Sequence, residues 1–138
     1  MEVTTHRATV VWEGGREDLR AHRVELGEQS LAASSMAANG GDASKADPEG
    51  MLVGALSSCH MLWFLDFARR ERLRVASYQD AAEGKLSGDR FTDVVLRPRV
   101  EWEGGVPDAH TIASLHHRAH EACYIANSVN FPVEVEVS

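Results

Sequence analysis

Polar and β-branched residues alternate from the start of this chain. Residues 5–12 carry that pattern and predict a strand. Gly14 and Gly15 mark a turn, and residues 19–26 return as a second strand. A short third strand is expected at residues 29–32. Periodicity then disappears: residues 33–47 are mostly Ala, Ser, Gly and Asn and read as a surface loop, of a length often functional in a small domain.

The strongest periodic signal follows. Asp47 suits an N-cap, Pro48 the first helical position, and Glu49 the positive end of the helix dipole. Met51, Leu52, Ala55, Leu56, Cys59, Leu62, Trp63 and Phe67 recur at steps of three and four. Val53, Ser57, Phe64 and Leu65 make the other face only weakly polar, so this helix is expected to be buried on most sides. Arg69, Arg70 and Arg72 suit its negative end. Residues 75–86 and 91–102 predict a hairpin around Ser87, Gly88 and Asp89. Val94, Leu96, Pro98, Val100 and Trp102 share one face, and the proline moves that strand towards a sheet edge. A second helix starts near Asp108, with Ile112, Leu115, Ala119 and Ala122 as its apolar stripe. Phe131, Val133, Val135 and Val137 alternate with Glu134 and Glu136 in a last, half-exposed strand. The sum is an α+β class, antiparallel strands with helices packed on one face. So short a chain has little surface to cover a largely buried helix, so a dimer is expected, with that helix against its partner.

A length of 138 residues suits one domain spanning 1–138. The net charge of −7 argues against nucleic acid or an anionic membrane as partner, since both repel an acidic surface. Residues 1–11 show no apolar run of a secretory signal. The uncharged stretch 50–65 is short for a bilayer span. A cytoplasmic location is the resulting expectation. There a structural disulfide is unexpected, so the two cysteines read as core, metal-binding or redox residues.

Cys59 and Cys123 are 64 residues apart (123 − 59). Both fall in register with apolar helical stripes, so both are expected to face the interior. One reading makes them small core residues. A zinc site is another: His116 and His120 are spaced i, i+4, His117 and His120 i, i+3, and His60 adjoins Cys59. Against it, neither cysteine belongs to a close pair, and the histidine cluster lies partly on the exposed helix face. The redox reading requires a thiolate, hence a cation that outweighs desolvation. Each unit of pKa depression requires about 1.4 kcal/mol of preferential stabilisation of the anion. It also requires a second thiol to capture the sulfenic acid, and Cys123 is the one other thiol in the chain. The residues alone leave these readings open.

Two motifs resemble a known family. Asp47-Pro48-Glu49-Gly50-Met51-Leu52, continuing to Ser58-Cys59-His60-Met61, is similar to the Asn-Pro-Glu-Glu-Leu helix of the OsmC/Ohr proteins. Ala119-His120-Glu121-Ala122-Cys123, with Ile125-Ala126-Asn127-Ser128, looks like that family's second cysteine motif. The resemblance spans nearly the whole chain. It implies an OsmC-like fold in an intertwined homodimer, with active sites at the subunit interface. It also implies a thiol peroxidase of oxidative or osmotic stress defence, acting on organic hydroperoxides or hydrogen peroxide without a cofactor. Cys59 matches the peroxidatic cysteine, Cys123 the resolving cysteine that closes a disulfide with it, and Glu49 a carboxylate that positions an arginine. Gly14-Gly15-Arg16 resembles the family's Gly-Gly-Arg turn, making Arg16 the first choice for that arginine, with Arg20 and Arg23 close behind. A dithiol such as a lipoyl group is the implied reductant. Tyr124 stands where the Ohr branch has proline, and His60 where it often has an aromatic residue, so the chain looks closer to the OsmC-like members. A non-catalytic ligand-binding stress protein, with loop 33–47 shaping an apolar pocket, is the alternative. A hotdog-type thioesterase would give the cysteines no role.

Overall fold

A computed structural model describes residues 2–137. The chain divides into two compact units, Met1–Met51 and Leu52–Ser138.

The first unit holds a three-stranded antiparallel sheet in the order β1 (Thr9–Val11), β2 (His22–Leu26), β3 (Gln29–Ala33). β1 is shorter than residues 5–12 and β2 starts later than residue 19. The delay has a local cause: the Asp18 carboxylate accepts the backbone N–H groups of Arg20 and Ala21, at 2.8 and 2.9 Å, and turns the chain there. The segment 33–47 lies at the surface, as expected of a loop, with one 3-10 turn at Ala37–Asn39. Ser34 N–H donates to the Ala46 carbonyl at 2.8 Å, closing the segment on itself, and the buried Ser34 hydroxyl accepts the Asp42 N–H at 3.1 Å. A Cβ on Gly41 would lie 1.7 Å from the Ser35 carbonyl oxygen, so only glycine fits this closure. Asp47 then caps the next helix, accepting Gly50 N–H on its carboxylate at 2.6 Å.

Helix α1 runs Pro48–Arg70. By length and composition it could cross a membrane, as core helices of soluble proteins also can. Here it buries one narrow face, Leu56, His60, Phe64 and Ala68. This corrects the expected orientation: Cys59, Trp63 and Phe67 flank that face half-buried, while Ala55 and Leu62 are exposed in the single chain. With apolar residues spread around its circumference, α1 offered no strong amphipathic contrast from which to read the inward line. After α1, Arg72 takes the left-handed position (φ 60) that closes a helix, and Leu73 N–H returns to the Ala68 carbonyl at 2.9 Å.

The second unit adds the hairpin, in pieces. Its two arms divide into β4 (Arg74–Asp80), β5 (Glu83–Ser87), β6 (Arg90–Leu96) and β7 (Pro98–Glu103), with β5 pairing β6 around Gly88 and β4 pairing β7. The Asp80 carboxylate accepts Arg97 N–H at 2.6 Å where the arms break. Pro98 opens β7, and β7 pairs with β4 alone among the described residues, an edge position that suits proline. Helix α2 (Ala109–Ala122) starts on Asp108, which accepts Thr111 N–H at 2.7 Å. A short 3-10 turn, Ala126–Ser128, leads to β8 (Val133–Val135), which pairs with β6 in parallel. The sheets are therefore not wholly antiparallel. The second unit has two apolar clusters. Phe64, Ala68, Leu115 and Ala119 join α1 to α2, and Leu56, Val94 and Leu96 join α1 to β6.

Candidate active site

Cys59 lies on the flank of the buried α1 face, and Cys123 is the residue that ends α2. Cys123 is a C-cap, at φ −66 and ψ 113, not a helical position as its spacing from Ala119 predicts. The two side chains meet in hydrogen-bonding contact, and both thiols are free. Their surroundings differ. Cys123 is 1% exposed, whereas Cys59 is half-buried and lines a cleft. Burial pushes the Cys123 thiol up to about 11 and the Cys59 contact adds to this, against the N–H groups of Ala126 and Ile125. Ala126 N–H lies 3.4 Å from the sulfur. Cys123 therefore keeps its proton at neutral pH.

The cleft has a volume of about 320 Å³ and is lined by Cys59, Leu62, Trp63, Asp66 and Tyr124. The first four recur at i, i+3, i+4 and i+7 of α1, so they share one helix face. Tyr124, carried by the residue after Cys123, meets the Trp63 ring edge-on at 5.6 Å. Asp66 is occupied by Arg69 and Arg70, at 3.2 and 2.7 Å. An apolar molecule entering here meets one reactive atom, the Cys59 sulfur. Leu62, Trp63 and Tyr124 are the lining that sequence reasoning missed: the first two read as core, and Tyr124 as a departure from a motif.

The remaining candidates lie elsewhere in the chain. Glu49 stands in the first turn of α1, ten residues before Cys59, or about 15 Å of helix rise. Arg16, Arg20 and Arg23 belong to the first unit and both cysteines to the second. Arg23 is held by Glu13 and by Glu25, the latter at 3.2 Å, and Glu13 first and Glu25 second make its proton still harder to remove. Arg16 lines a groove between β1 and β2 with Glu17, Asp18 and His22. Among the described residues, neither Arg16 nor Arg20 has a side-chain ion pair.

His60, next to Cys59, is fully buried. Its Nε2 is 3.0 Å from Nδ1 of His116 on α2, and the two rings are parallel within 3°. This differs from a zinc arrangement: two of the four candidate histidines bond to each other. No group of three or more His, Cys, Asp or Glu among the described residues could hold a metal ion. Burial pushes both imidazoles down to about 4; for His60 the charges of His116 and His120 add to that, and Asp80 opposes it. The fold thus holds both rings neutral, while the unfolded chain protonates them near 6.5. Their contribution to stability is complete above pH 6.5 and is lost as pH falls towards 4. Urea unfolding is accordingly expected to show stability about 2–4 kcal/mol lower at pH 5 than at pH 7. A pH-independent urea midpoint across that range would contradict this burial.

The family model described as OsmC-like protein matches residues 41–138. An OsmC-like protein of unknown function from Vibrio cholerae is 36% identical, with a TM-score of 0.89 over 99% of this chain and 100% of that one. An organic hydroperoxide resistance protein, OsmC, from Legionella pneumophila is 18% identical, with a TM-score of 0.76 over 100% and 99% of the two chains. Another, from Elizabethkingia anophelis, is 18% identical with a TM-score of 0.76 over 99% and 97%. These last two share the fold. No curated protein sequence matches the chain.

Proposed function

This chain belongs to the OsmC-like protein family, and from that premise we propose that it is a cysteine-based peroxidase of stress defence. One observation carries the reading: a cleft-lining Cys59 touches a buried, protonated Cys123. In this scheme the Cys59 thiolate attacks a peroxide oxygen and the O–O bond breaks. The departing oxygen takes up a proton and leaves as alcohol or water, and Cys59 becomes a sulfenic acid. Cys123 then attacks the Cys59 sulfur. The S–S bond forms, and the sulfenic hydroxyl leaves as water with the Cys123 proton. An external dithiol, such as a lipoyl-type group, returns both thiols. No bound cofactor enters any step.

The apolar lining by Leu62, Trp63 and Tyr124 favours an organic hydroperoxide over hydrogen peroxide. The protein would work as a homodimer in the cytoplasm, its exposed Ala55 and Leu62 on α1 covered by a second copy. A cation must favour the Cys59 thiolate, and Glu49 would hold it in place. Arg23 is already bound by two carboxylates, which leaves Arg16, then Arg20. Arg16→Ala is expected to slow Cys59 oxidation by about 100-fold, and Arg23→Ala far less, measured by stopped-flow under a single turnover. Equal rates for the wild type and for Arg16→Ala, Arg20→Ala and Arg23→Ala would remove the arginine from the scheme.

The test of function is a peroxidase assay with cumene hydroperoxide and with hydrogen peroxide, using a dithiol reductant. Consumption of the organic substrate is expected to be faster. No consumption of either by folded protein would replace this reading with that of a non-catalytic ligand-binding protein.

A further inference from the structure

The His60–His116 bond has no part in the chemistry above. We infer that it is a positioning device, setting how α1 sits on α2 and so holding Cys59 and Cys123 in reach of one another. The inference rests on the peroxidase reading for its biological meaning.

The two helices otherwise meet through an apolar contact of Phe64, Ala68, Leu115 and Ala119, with Arg118 of α2 over the Phe67 ring at 4.4 Å and donating to Glu71, just past α1, at 2.9 Å. Its apolar part is non-directional, and the Arg118 contacts lie at the C-terminal end of α1, Phe67 being about two turns from Cys59. A hydrogen bond does fix direction. Among the described residues, His60–His116 is the one hydrogen bond between side chains of the two helix bodies, and both partners are buried, at 1% and 3% exposure. The Phe64 ring stacks on His116 at 4.3 Å and limits its movement further. His60 directly follows Cys59, and His116 lies seven residues, about two turns of α2, before Cys123, the residue that caps that helix. Any change in register at the pair is therefore carried to both sulfurs. Filling this space alone would be cheaper with two apolar side chains, because burying polar rings costs free energy that their mutual bond only offsets. The surroundings reinforce the pair from a third element: Asp80 on β4 faces His60 electrostatically, while Ser57 of α1 donates to the Asp80 carboxylate.

The step that depends on register is closure. Cys123 must reach the Cys59 sulfur along the narrow geometry of a disulfide, and a misplacement near 1 Å is costly. Oxidation of Cys59 by peroxide needs no such alignment.

The variants are His60→Leu with His116→Leu, which removes the bond and keeps the core apolar, and His60→Gln with His116→Asn, which returns an N–H···O bond at the same atom positions. Leu115→Ala serves as the destabilised control that leaves the bond intact. Two readouts separate the possibilities. With diamide, which drives disulfide formation without peroxide, the leucine pair is expected to close Cys59–Cys123 about 10- to 100-fold more slowly than wild type. The amide pair and Leu115→Ala should stay near the wild-type rate. With peroxide, the leucine pair should form Cys59 sulfenic acid at the wild-type rate but divert it to sulfinic acid, seen by intact mass. Disulfide closure by the leucine pair at the wild-type rate overturns the inference, as does slow closure in Leu115→Ala to the same extent. If the leucine pair fails to fold, His60→Met alone, which offers His116 no N–H at similar volume, is measured in its place, with the same outcomes for and against. Absence of a peroxide-driven Cys59–Cys123 disulfide in the wild type, with the diamide-driven one formed, would count against the peroxidase reading alone, since the diamide arm does not depend on it.

Discussion

Cys59→Ser removes peroxide turnover, with kcat/KM down about 10³-fold or more, while the protein keeps its fold and its thermal stability. The size of the effect follows from geometry. Cys59 is the thiol that lines the cleft, and Cys123 is 1% exposed, so no other thiol meets a molecule entering from solvent. A hydroxyl at this position is far too weakly acidic to supply the nucleophile. The measurement is consumption of cumene hydroperoxide with a dithiol reductant. Turnover retained within a few-fold would place the reactive atom elsewhere.

Cys123→Ser acts on the second step. The first turnover, formation of sulfenic acid at Cys59, proceeds near the wild-type rate. What disappears is the neighbouring thiol, whose effective concentration in the folded protein far exceeds that of any dissolved one. Resolution by millimolar external thiol is expected to be about 100-fold slower or worse. The waiting sulfenic acid then reacts with more peroxide to give sulfinic acid. Dimedone labelling after one equivalent of peroxide, and a mass increase of two oxygens after excess, report the two species in order. A variant that cycles normally and resists over-oxidation would show that Cys123 is only a core residue.

The sequence carried the element order and the cysteine motifs well, and the facing of residues less well. Helix starts were legible because capping is local: Asp47 and Asp108 each make the bond that their residue type suggests. The hairpin was legible as a pair of arms, but not the break at residues 81–82 and 97, because the Asp80 carboxylate that takes Arg97 N–H is a tertiary partner. The parallel pairing of β8 with β6 depends on where α2 returns the chain, which alternation cannot encode. Facing within α1 was the main loss. Its line of contact runs through Leu56, His60, Phe64 and Ala68, and a histidine in that line reads as polar until its partner is known. His116 was a zinc candidate for the same reason. The thiol pair was recoverable from motifs, whereas the difference between its members lies in burial: a cleft on one side and a helix end packed shut on the other.

The most direct test of the account is peptide mapping of unreduced protein after one equivalent of organic hydroperoxide. One new intramolecular crosslink is expected, between the peptides containing Cys59 and Cys123, reversed by a dithiol. Two free thiols in folded, peroxide-treated protein would contradict it.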